Sequence, residues 1–146
     1  MAWTITATMD EVRRIKHHMA GDTMYVLKLA CVSDASGGTI TLKSTKADPS
    51  NSYNELMDQV TGTWLYLMEV VPGAGGDAPT AAFDIDVENK RNSHVLDTDS
   101  NSNAATSFTI GSATLGVYPP IMEEITVAIG TLGNLNTADV YLYFLK

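Results

Sequence analysis

Between residues 81 and 89 the chain reads AAFDIDVEN, and its side chains alternate without a break. Phe83, Ile85 and Val87 are apolar, while Asp84, Asp86 and Glu88 are acidic. A period of two puts the apolar set on one face of a strand and the acids on the other; on a helix the acids would land all around the cylinder. The same alternation runs through WTITATM, where Trp3, Ile5, Ala7 and Met9 oppose Thr4, Thr6 and Thr8. In GGTITLKST, Ile40 and Leu42 oppose Thr39, Thr41 and Lys43. Such segments are half-buried strands with one wet face, the pattern of antiparallel sheets.

Three further segments are apolar on both faces: residues 23–33 (TMYVLKLACVS), 62–71 (GTWLYLMEVV) and 139–146 (DVYLYFLK). Rich in β-branched and aromatic residues, they read as strands from the middle of a sheet or facing a partner subunit. Tyr141, Tyr143 and Leu145 are the candidate subunit-interface strand. Trp64 opens an apolar strand and is expected in the core. Residues 123–130 (EEITVAIG) add a strand, and 107–116 (SFTIGSATLG) a weaker one broken by Gly111. Only 50–60 (SNSYNELMDQV) suits a short helix, with Ser50 or Asn51 as cap and Leu56, Met57 and Val60 as its apolar stripe. Polar or glycine-rich loops are expected at 33–38, 46–52, 72–79, 89–107, 118–120 and 131–138. Seven or eight short strands with at most one short helix imply an all-β fold, an antiparallel β-sandwich of jelly-roll type.

A length of 146 residues suits a single domain with one core, 1–146, whose N-terminal strand or arm over about residues 1–20 reaches a neighbouring subunit. No apolar run approaches the ~18 residues that cross a bilayer, so no membrane partner is expected. The opening MAWTITATMDEVRR lacks the basic-then-apolar layout of a secretory leader, and none is expected. Cys31 stands alone, which precludes an intrachain disulfide and suits a small buried hydrophobe. The net charge of −8 speaks against nucleic acid, whose binding is dominated by phosphate neutralisation. Six Lys/Arg against four Asp/Glu give residues 1–47 a charge of +2, and three against thirteen give 48–146 a charge of −10. The basic excess is concentrated in RRIKHH, where Arg13, Arg14, Lys16, His17 and His18 form a candidate docking strip for an acidic neighbour.

Three fragments of chemical motifs fail on context. Gly73, Gly75 and Ala78 match the G-x-G-x-x-[GA] spacing of a dinucleotide turn, but a strand pattern follows where the phosphate-holding helix must begin. Asp97, Asp99 and Asn101 open like a calcium loop, yet Ser102 stands where the glycine belongs and Phe108 where the bidentate glutamate belongs. His17 and His18 are adjacent, so a strand sends them to opposite faces, and His94 stands apart in a polar loop. Asp84 and Asp86 lie about 7 Å apart along one strand face, a spacing some carboxylate pairs use, but a wet face accounts for them. No catalytic residue, cofactor or metal site is expected.

The order of segments from about residue 25 to 146 resembles small structural proteins of tailed bacteriophages. The matching residues are Pro72, Gly73, Ala78, Pro79, Thr80, Phe83, Asp84, Ile85, Val87, Val95, Leu96 and the tail Val140 to Phe144, with the D-x-x-G turn in SDASGG at 33–38. The pattern departs at Ser93-His94, where glycine usually precedes the Asp-Val-Leu step. The resemblance implies a non-enzymatic virion protein, above all a capsid decoration (cement) protein. Such a protein binds the outside of the head as a homotrimer, with itself and the major capsid protein as partners, after assembly in the host cytoplasm. Alternatives are a tail, head–tail connector or baseplate-associated protein, or an adhesin reading host glycans through Trp3 or Trp64.

Overall fold

Among the described residues, ten strands follow one another along the chain. They are β1 (Thr4–Arg13), β2 (Thr23–Asp34), β3 (Gly38–Leu42), β4 (Thr63–Pro72) and β5 (Ile85–Asn89), then β6 (His94–Asp97), β7 (Phe108–Gly111), β8 (Pro120–Ile121), β9 (Ile125–Ile129) and β10 (Asn134–Leu145). The computed structural model describes residues 4–13, 23–34, 38–42, 58–79, 83–91, 94–97, 108–111, 120–130 and 132–146. All strand pairings among them are antiparallel. The fold is all-β, as the alternation requires. Helical backbone in the described residues is confined to one turn at Asp58–Val60 and a 3-10 turn at Gly75–Asp77. The rest of the expected helix over 50–60 lies outside them.

The strands form two sheets. One runs β1-β2-β10-β4-β7, with the short β8 also pairing with β4; the other runs β3-β9-β5-β6. The three segments that are apolar on both faces are β2, β10 and β4, and they occupy the middle of the larger sheet. Their inward residues meet in register. Met9, Leu27, Leu142 and Met68 form one row, and Ala7, Leu29, Val140 and Val70 the next. Burying each large aliphatic of these rows contributes about 1.5–3 kcal/mol. Phe83, Ile85 and Val87, with Ile125, Val127 and Ile129 of β9, join the same buried cluster from the smaller sheet. The acids between them, Asp84, Asp86 and Glu88, are only half-buried, so FDIDVEN, residues 83–89, folds as its period predicts. β1 repeats the rule, with Thr4, Thr6, Thr8 and Asp10 exposed and Ile5, Ala7 and Met9 packed on the core.

Two corrections follow. Trp64 is not in the core; it is 48% exposed. The ladder between β10 and β4 shifts by one residue at Tyr66, pairing Tyr143 with Leu67 and Phe144 with Leu65. This bulge reverses the inside–outside parity, so Thr63 and Leu65 turn inward and Trp64 turns out. Thr63 tolerates full burial because its hydroxyl donates to the Val60 carbonyl at 2.6 Å. Short strands also fall where loops were expected. β6 lies inside the predicted 89–107 loop, β8 starts on the proline of the predicted 118–120 loop, and β10 begins within the predicted 131–138 loop.

Residues 72–79 join β4 to β5 as a connector, not as a cofactor turn. The 3-10 turn is only three residues long and an extended chain follows it. Gly73 donates its N–H to the Thr137 carbonyl at 2.8 Å, and a Cβ there would run into the Thr137 hydroxyl and the Asp77 carbonyl. Close approach of two backbones, not phosphate, requires this glycine.

Candidate functional site

The outward face of the larger sheet is where the candidate interface strand falls. β10 buries Ala138, Val140, Leu142 and Phe144, so the intervening Asp139, Tyr141, Tyr143 and Leu145 point away from the core, half-buried among their neighbours. Register sets those neighbours. Tyr141 lies between Lys28 and Glu69, Tyr143 between Val26 and Leu67, and Leu145 between Met24 and Trp64. Pro120 of β8 sits opposite Trp64 on its other side.

The charges of this face close on one another through diagonal cross-strand contacts. The Lys28 ammonium meets the Asp139 carboxylate at 2.7 Å and lies 5.5 Å from the centre of the Tyr141 ring. Its pKa is raised, first by the hydrogen bond to Asp139 and then by Tyr141. The Tyr143 hydroxyl donates to Glu69 Oε2 at 2.8 Å. Burial, and after it the hydrogen bond to Glu69, pushes the Tyr143 phenol up to about 12. A phenol so shifted stays protonated and acts as a fixed donor, not as a nucleophile or base. Around these pairs stand Met24, Val26, Leu67, Leu145 and Trp64. A face with apolar side chains and internally matched charges can be covered by another protein without stranding an unpaired ion.

The other sequence candidates are placed only in part. Arg13 closes β1 opposite Thr23, whereas Arg14, Lys16, His17 and His18 lie outside the described residues. Asp97 ends β6 opposite Asp86, and Asp99 and Asn101 lie outside the described residues. His94 is in register with Glu88 on the smaller sheet. Trp3 is likewise outside. Among the described residues, no group of three or more His, Cys, Asp or Glu side chains is placed to hold a metal ion. One oxygen of Asp84 is buried without a hydrogen-bond partner, while the backbone carbonyl of Asp84 accepts from the Gly130 N–H at 2.8 Å. Cys31 is buried, as its isolation suggested, with its thiol toward the Leu29 carbonyl at 3.5 Å.

Sequence reasoning missed three exposed apolar side chains, Trp64, Met122 and Leu135. Trp64 is concealed by the bulge. Met122 follows a strand of only two residues, too short to show a period. Leu135 carries the positive φ of 62° that a Gly-Asn pair immediately before it would have been expected to absorb. No known protein-family model matches the chain, and no curated protein is similar to it.

Proposed function

We propose that this chain is a non-enzymatic structural protein of a tailed-bacteriophage virion, a decoration protein that binds the outside of the head as a homotrimer and stabilises the shell. The phage assignment rests on the segment order from Pro72 to Phe144. The observation that carries a docking role is the outward face of β2, β10 and β4, where half-buried Tyr141, Tyr143 and Leu145 are set among matched charges. In this reading the two sheets pack as a sandwich, and the face of the larger one meets a subunit or the major capsid protein. Five strands at about 4.8 Å spacing and ten residues at about 3.3 Å rise give a face of roughly 800 Å², the area each partner buries in a standard interface. The basic strip beginning at Arg13 supplies attraction to an acidic shell. Light scattering and co-sedimentation with capsids test the reading together. A trimer that pellets with capsids is the expected result, and a monomer that stays in the supernatant overturns it.

A second reading, a module that stacks host glycans on an aromatic side chain, is favoured by the outward position of Trp64. It predicts sugar-dependent tryptophan fluorescence that is lost in Trp64→Ala. Fluorescence indifferent to a panel of host glycans leaves the virion reading in place.

A further inference from the structure

We draw no further inference here: the strongest candidate, the apolar patch of Trp64, Pro120 and Leu145 at one end of the larger sheet's outward face, continues the docking face already described, and nothing in the structure shows what covers it.

Discussion

Cys31 and Tyr143 are held in their protonated forms by different neighbourhoods. Burial pushes the Cys31 thiol from 9.0 up to about 12, and burial with the Glu69 hydrogen bond carries the Tyr143 phenol to about 12. Between the ordinary and the shifted values the folded chain binds more protons than the unfolded one, so stability is complete below pH 9 and falls as pH rises through that window. For Cys31 alone the loss between pH 8 and pH 10 is about 1.4 kcal/mol. Urea denaturation across this range should show the decline beginning near pH 9, and Cys31→Ala should flatten its first part even if the variant starts from lower stability. Lys28, raised by Asp139 and Tyr141, adds a loss of the same sign at higher pH. Gly73 gives a second prediction. Because a Cβ meets the Thr137 hydroxyl and the Asp77 carbonyl, Gly73→Ala should cost about 1–3 kcal/mol in a thermal or urea melt, whereas Gly76→Ala, with open space around it, should cost far less.

The bulge at Tyr66 decides which side chains of β4 face the core. Deleting Tyr66 would remove the extra residue and restore strict alternation with Thr63 and Leu65 still inward and Trp64 still outward. A Tyr66 deletion should therefore keep cooperative unfolding in a thermal melt, whereas deleting Tyr66 and Leu67 together, which turns Thr63 and Leu65 out and Trp64 in, should abolish it or lower the melting temperature sharply. Elements of this kind mark the limit of what period two makes legible. Where the pattern ran for five or more described residues, as in 83–89, 4–9 and 123–130, strand, face and core residues followed from it. The two-faced apolar runs likewise fell in the middle of the larger sheet, because only central strands are covered on both sides. β6 and β8 span four and two residues and show no period, and their pairing is set by partners distant in sequence. Of the candidate site, Tyr141, Tyr143 and Leu145 were legible from alternation. The pairing of Lys28 with Asp139 and of Tyr143 with Glu69 was not, because it depends on register across strands more than 70 residues apart.

In the proposed reading, the outward face of the larger sheet, with its matched charges, is what this small protein offers to a large neighbour. The account stands or falls on whether that neighbour is a capsid. Electron microscopy of phage heads with and without this protein is the most direct measurement. Added density on the outer shell at local threefold positions, together with greater heat stability of the decorated heads, is the predicted result. Bare heads at saturating protein, or density confined to the tail, would contradict it.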